Sequence, residues 1–378
     1  MTDSAPDVNQ QPLRLLMTAD AVGGVWQYSV DLISELTSHG AQVLLATMGP
    51  RPSKDQRRQV EAIPGLTLVE SEFALEWMQD PWDDIDQSAR WLVDLAATFD
   101  ANLIHLNGYA HASMPWGKPS VVVGHSCVYS WWKAVYGCGP GLDWAEYKRR
   151  ALQGLAAATR VVAPSRYMAG VLHQEYGVPE DKLQVIHNFS RIPASVKTDK
   201  QPFALAAGRI WDPAKNLRLL EQIAPRVSWP IHVAGSDRGP EESAISAESV
   251  LALGTVPHSE LLQRMEAASI FLHPALYEPF GLSVLEAARA GCCLVLSDIP
   301  SFRELWDDSA LFIDPRDPDR WVFEINAIID DPARRDSLAA RAVSRAESYR
   351  PEAAIERYRN LYQSLLSSAG RAAKEAAA

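Results

Sequence analysis

The chain has 378 residues, past the size at which one hydrophobic core keeps growing, so two domains are expected. Hydrophobic residues make up 47% and charged residues 22%, a globular balance that excludes intrinsic disorder. The formal net charge of −11 is shared by both halves and excludes the basic excess that nucleic acid or an anionic lipid surface calls for.

Short apolar runs bounded by turn residues alternate with longer amphipathic stretches, the pattern of repeated strand-helix units in a parallel sheet. Strands are predicted at residues 13–17, 42–46, 66–69, 103–106, 121–123, 160–163 and 183–186, with a helix over 26–38. Residues 191–202 are polar and contain Pro193 and Pro202, the composition of a linker. A second series follows at 203–207, 230–234, 250–253, 270–273, 294–296 and 311–313. The expected architecture is α/β with two parallel-sheet, Rossmann-like domains, residues 1–200 and 201–350. In the tail, Ala354, Ile355, Tyr358, Leu361, Tyr362 and Leu365 follow helical spacing over 351–366 and give one amphipathic helix. Beyond Gly370 no apolar stripe continues and fraying is expected.

The four cysteines, Cys127, Cys138, Cys292 and Cys293, lack Cys-x-x-Cys spacing and are too few for a disulfide framework, which points to a reducing compartment. Residues 1–7 carry neither a basic leader nor an apolar run, and no uncharged stretch approaches the ~20 residues that cross a bilayer. A soluble, cytoplasmic protein is expected.

Ligands of open parallel sheets bind beyond the carboxyl ends of strands, where helix N-termini offer N–H groups to anions. Three loops answer to this. Asp20 to Val25 places Gly23 and Gly24 where the backbone approaches a ligand closely or simply turns tightly. Gly208 to Asn216 brings Arg209 and Lys215 to the start of a helix, as a clamp for a diphosphate or as solvated surface cations. Tyr277 to Ala287 is the most informative: a strand ends at His273-Pro274, the chain turns, and a helix begins near Gly281 and Leu282. Glu278 then precedes the helix and Glu286 lies about one turn inside it, within reach of different parts of an elongated ligand. The alternative for Glu286 is a capping box with Ser283.

His125 also follows a strand. His105, His187, His232 and His273 occupy strand positions where packing suffices, and no histidine shows metal-ligand spacing. The Asp-x-Asp pairs Asp84/Asp86 and Asp317/Asp319 are read as acidic helix starts that favour the dipole rather than as a metal site. Walker-type, dinucleotide-binding and α/β-hydrolase signatures are missing from the sequence.

Together these segments resemble the retaining nucleotide-sugar glycosyltransferases of the GT-B fold, family 4, also called glycosyl transferase group 1. The most specific part is Glu278-Pro-Phe-Gly-Leu-x-x-x-Glu286-Ala, followed by Ala290-Gly291 and Ser297 to Glu304. Support comes from Gly23-Gly24, Gly208-Arg209 with Lys215-Asn216, residues 162–165, 185–188 and 254–257, and the tail around Leu361-Tyr362.

The resemblance implies two domains facing a cleft, with residues 351–378 crossing back to the first, and a metal-independent reaction with no cofactor beyond a nucleoside-diphosphate sugar donor. It implies that Arg209 and Lys215 bind the diphosphate, that Gly281 and Leu282 cradle it, that Glu286 takes the ribose hydroxyls and that Val256 lines the base. Glu278 would contact the donor sugar, His125 would reach the sugar from the opposite domain, and Gly23 and Gly24 would close on the phosphate and acceptor side. The acceptor would be a sugar, a lipid-linked or a small hydroxyl compound, with Trp131 or Trp132 against it. Ala21 stands where starch and glycogen synthases carry a lysine, which disfavours a polymer synthase, and Cys293 replaces the usual proline. A nucleotide-sugar 2-epimerase of the same architecture and a non-catalytic nucleotide-sugar-binding protein remain the alternatives.

Overall fold

The computed structural model describes residues 12–194, 199–236 and 249–377; residues 195–198 of the expected linker lie outside them. All thirteen expected strands form. In the first half they are β1 (Arg14–Asp20), β2 (Gln42–Met48), β3 (Leu66–Glu70), β4 (Leu103–Leu106), β5 (Ser120–Val123), β6 (Arg160–Ala163) and β7 (Leu183–Val185), in one sheet of order β3-β2-β1-β4-β5-β6-β7. In the second half β8 (Gln201–Ala207), β9 (Ile231–Ala234), β10 (Leu251–Gly254), β11 (Ala268–His273), β12 (Cys293–Ser297) and β13 (Leu311–Ile313) form a sheet of order β10-β9-β8-β11-β12-β13, with every pairing parallel. These are the two Rossmann-like sheets of the GT-B fold.

Burial on both faces explains why the strands were legible as apolar runs. Along β8, Phe203, Leu205 and Ala207 pack on one face with Phe271, Leu294 and Leu296, while Ala204 and Ala206 pack on the other with Ile270, Leu272, Cys293 and Val295. The Cys293 side chain is thus a small buried apolar filler at the start of its strand, and all four cysteines are free thiols.

The chain packs as two compact units. The first holds the described residues up to Val122, Gln153–Arg160, and the chain from Arg359. The second holds Val123–Leu152 and the described part of Val161–Tyr358. Among the described residues no helix is long and apolar enough to cross a membrane. The last helix, Pro351–Ala377, runs past the expected fraying point at Gly370; its terminal Ala, Lys and Glu residues favour helix without needing an apolar face.

Within the first unit a buried polar contact joins that helix to β4. His105, fully buried on β4, has Nδ1 2.7 Å from the Tyr362 hydroxyl and Nε2 3.3 Å from the Tyr28 hydroxyl. Burial pushes the imidazole down to about 3, so it is neutral, and one tyrosine donates while the other accepts. The unfolded chain takes up this proton below about pH 6.5 and the native chain does not until far lower. The stability from His105 is therefore intact above pH 6.5 and erodes as pH falls towards 3, by at most about 1.4 kcal/mol per pH unit. Urea unfolding at several pH values should show a steeper acid loss for wild type than for His105→Gln; parallel slopes would contradict the buried neutral imidazole.

Candidate active site

Both sheets reverse direction of growth beside their first strand, and such a switch point opens a crevice at the carboxyl ends of the two flanking strands. In the second unit those strands are β8 and β11. The loop after β8 carries Arg209 and Lys215, and the loop after β11 carries Tyr277, Glu278 and Gly281. Sheet order alone therefore brings the two most informative sequence segments together.

Local geometry locks the pairing. Asp212 caps a short turn over Pro213–Lys215, accepting from the Ala214 N–H at 3.0 Å. Asn216 takes a left-handed conformation at φ 52°, and its amide nitrogen donates to the Pro274 and Pro315 carbonyls, each at 3.0 Å. The Leu276 N–H donates to the Ala214 carbonyl at 2.8 Å. Lys215 Nζ then stands 2.5 Å from Glu278 Oε2, with both side chains largely buried, and His273 Nε2 lies 3.3 Å from the same oxygen. Burial works to protonate Glu278, but Lys215 and His273 together outweigh it and hold the carboxyl well below the usual range. His273, fully enclosed, is itself driven downward by burial against the pull of Glu278.

Glu278 is fixed from behind as well. Ser301 Oγ donates to its carbonyl at 2.5 Å and Ser165 Oγ to the Pro279 carbonyl at 2.8 Å. Gly281 caps the helix Leu282–Arg289 at φ 84°. A β-carbon there would stand 3.2 Å from Phe302 and Val284 and 3.3 Å from the Glu278 side chain, so the positive φ favours glycine and any larger residue would press on these neighbours. The capping box that was the alternative for Glu286 is not formed: Gly281 holds the cap position with no side-chain bond, and Ser283 lies inside the helix. Glu286 Oε1 is instead 2.8 Å from His258 Nε2. Val256, two residues earlier, is half-buried against the second-unit core.

Arg209 Nη2 donates to Asp212 Oδ2 at 2.7 Å, and Trp131 Nε1 donates to Asp212 Oδ1 at 3.1 Å. Burial would raise the Asp212 carboxyl, but Arg209 and Lys215 overcome it and keep it low. The Arg209 Nε is buried without a hydrogen-bond partner. Trp131 and Trp132 are half-buried, with ring centroids 6.0 Å apart, and Tyr136 packs 4.7 Å from Trp132. His125 is half-buried after β5. Its neighbour Ser126 donates to the Tyr277 hydroxyl at 3.3 Å, and Ser130 Oγ lies 2.8 Å from that same oxygen. Burial raises the Tyr277 hydroxyl far above its ordinary range, so it stays a neutral strut beside Glu278.

Gly23 and Gly24 start the helix Gly24–Ser38 of the first unit, with Gly23 at φ 90°. That unit has its own crevice at the carboxyl ends of β1 and β4, about 50 Å³, whose lining includes Asp20, Glu76, Trp77, Asn107 and His111 and no Lys or Arg. The paired aspartates act at helix starts and elsewhere: Asp84 Oδ2 accepts from the Ala74 N–H, Asp317 caps the helix Pro318–Asp330, and Asp319 pairs with Arg226.

Sequence reading missed Asp212, His258, Tyr277 and His273 as parts of this arrangement. Asp212-Pro213 between the two cations is a turn-cap signal that could have exposed the first. The others are placed by tertiary contact.

Residues 22–190 match Glycosyltransferase Family 4 and residues 189–345 match Glycosyl transferases group 1. O-antigen chain mannosyltransferase B of Escherichia coli is 32% identical over 44% of this chain and 46% of its own length. D-inositol 3-phosphate glycosyltransferase 1 of Catenulispora acidiphila is 31% identical over 29% of this chain and 27% of its own length. The matched region thus spans less than half of these curated relatives. Among solved structures, sucrose-phosphate synthase of Thermosynechococcus elongatus superposes with a TM-score of 0.79 at 17% identity, covering 94% of this chain and 100% of that one. Anabaena HepE in complex with UDP-glucose gives 0.74 at 16% identity, covering 93% and 100%. The two consecutive family matches, together with two Rossmann-like sheets and the Glu278 to Glu286 signature at a switch point, make this chain a member of the family 4, group 1 glycosyltransferases of the GT-B fold.

Proposed function

We propose that this glycosyltransferase moves a hexose from a nucleoside-diphosphate sugar to a hydroxyl acceptor, with retention at the anomeric carbon and without a metal ion. The observation that carries the reading is the buried Lys215–Glu278 pair beside the Gly281 helix start. Cleaving the anomeric C–O bond puts negative charge on the departing diphosphate and positive charge on the sugar. Two fixed cations and a helix N-terminus suit the first, and an ionised carboxylate suits the second and its hydroxyls. The buried Arg209 Nε lacks a partner that a phosphate oxygen supplies.

In this reading Arg209 and Lys215 hold the diphosphate against the backbone of Gly281 and Leu282. Glu278 orients the sugar, His125 reaches its reacting side, Glu286 takes the ribose hydroxyls, and Val256 lines the base. The acceptor oxygen forms the new bond to the anomeric carbon as the phosphate oxygen leaves, and that phosphate oxygen takes the acceptor's proton, so no protein nucleophile is consumed. Trp131 or Trp132 offers a ring face to the apolar part of the acceptor. The UDP-glucose of the HepE complex and the mannosyltransferase relative lend support to a nucleotide-sugar donor and a hexose.

Purified protein incubated with UDP-, GDP-, ADP- and dTDP-sugars in EDTA should release nucleoside diphosphate from one donor. Glu278→Gln and Lys215→Met should each cut that rate by about 10²–10³-fold, the loss typical of removing one preorganised electrostatic group. Release that requires Mg²⁺ would overturn metal independence, and epimerisation of the donor with no acceptor added would replace transfer by isomerisation. Gly281→Ala, a test of the helix start alone, should lower turnover at least tenfold while thermal melting shifts by only a few degrees, the strain of a β-carbon at φ 84° being about 1–3 kcal/mol. Unchanged turnover in Gly281→Ala would remove the helix N-terminus from the site.

A further inference from the structure

We propose that His258 is the positioning residue for ribose recognition, setting the orientation of Glu286 and hence discrimination between ribose and 2′-deoxyribose in the nucleotide. This rests on the reading of Glu286 as the ribose ligand. Glu286 is only 4% exposed, and the sole side-chain bond it makes among the described residues is from Oε1 to His258 Nε2 at 2.8 Å. Its second oxygen, Oε2, is therefore the one left for a ligand hydroxyl. A carboxylate with one oxygen fixed cannot swing about its terminal torsion, a torsion otherwise broad and roughly two-fold.

Both members of the pair stand on rigid mounts. Glu286 is flanked by Leu285 and Ala287 in the core on the helix Leu282–Arg289. His258 opens the helix His258–Ala267, whose Leu261, Leu262 and Met265 join the same core cluster, as does Val256 just before it. The imidazole is about one-quarter exposed, whereas the Glu286 side chain it meets is almost fully buried. A histidine needed only to fill space gains nothing from facing a nearly buried carboxylate across an open edge. One needed to hold that carboxylate must reach it with an N–H, and this one does.

The test is calorimetric binding of the nucleoside diphosphate released in the donor assay, alongside its 2′-deoxy counterpart, to the whole protein. Wild type should prefer the ribose form. In His258→Ala the affinity for the ribose form should fall about ten- to a hundredfold, the scale of a lost hydrogen bond to a charged group. Binding of the 2′-deoxy form should change much less, so the preference collapses. His258→Gln, which keeps an N–H donor of similar reach, should restore the preference, whereas His258→Asn, too short to reach, should behave like His258→Ala. Turnover at saturating donor should stay within a fewfold, placing the effect in KM. Glu286→Ala measured in parallel separates the two layers. If it leaves the preference intact, the ribose reading of Glu286 falls, and the role of His258 with it. If Glu286→Ala abolishes the preference but His258→Ala does not, Glu286 stands and the positioning role is overturned. Equal losses for both nucleotides in folded His258→Ala would likewise overturn it.

Discussion

Everything at the second-unit site depends on keeping Glu278 ionised inside the protein. Burying a lone carboxylate costs several kcal/mol, and such a group ordinarily protonates instead. Here the ammonium of Lys215 at 2.5 Å and His273 at 3.3 Å together reverse the balance. That pairing is available only because β8 and β11 are neighbours, although β9 and β10 intervene in the sequence. The sheet order is thus the first cause, and the two loops follow from it. Asn216 then removes the remaining slack by spending its amide on two carbonyls from different loops.

A second layer ties the segment after β5 to the same loops. The Tyr277 hydroxyl gathers Ser126 and Ser130, and Asp212 divides its two oxygens between Arg209 and Trp131. The Tyr277 hydroxyl, Ser130 and Asp212 at the centre of this network are buried and hydrogen-bonded, which makes it rigid instead of costly. His125 sits one residue from the Tyr277 contact.

The strands were legible because a parallel sheet covered on both faces turns each strand into an unbroken apolar run, as in Val121-Val122-Val123 and Leu294-Val295-Leu296. Glu278, Lys215 and Gly281 were legible because glycine, proline and charge at a strand end mark a loop that meets a ligand. The fates of Glu286 and His105 were not. The Ser283 to Glu286 spacing fits a capping box, yet Gly281 at φ 84° claims the cap and frees Glu286 to meet His258 from a different helix. His105 reads as an ordinary strand residue, and its two tyrosine partners come from the first helix and the last. Spacing reports local geometry, whereas these partners are chosen by topology.

The pairing of each cation with a carboxylate has a consequence for selectivity. Lys215 is committed to Glu278 and Arg209 to Asp212, so a bare anion entering the crevice competes with carboxylates already in contact. A nucleoside diphosphate that carries a sugar meets different terms. In the proposed reading its phosphate oxygens draw on Lys215 while its hydroxyls donate to Glu278, so the carboxylate is never left buried and unpaired as the ammonium turns to the ligand. Arg209 differs, because its bond to Asp212 uses only Nη2, while its buried Nε has no partner in that pair. In that reading Lys215 is the group that couples diphosphate to sugar, and Arg209 is a fixed anchor. The difference follows from a compact ammonium sharing one contact and a planar guanidinium offering several.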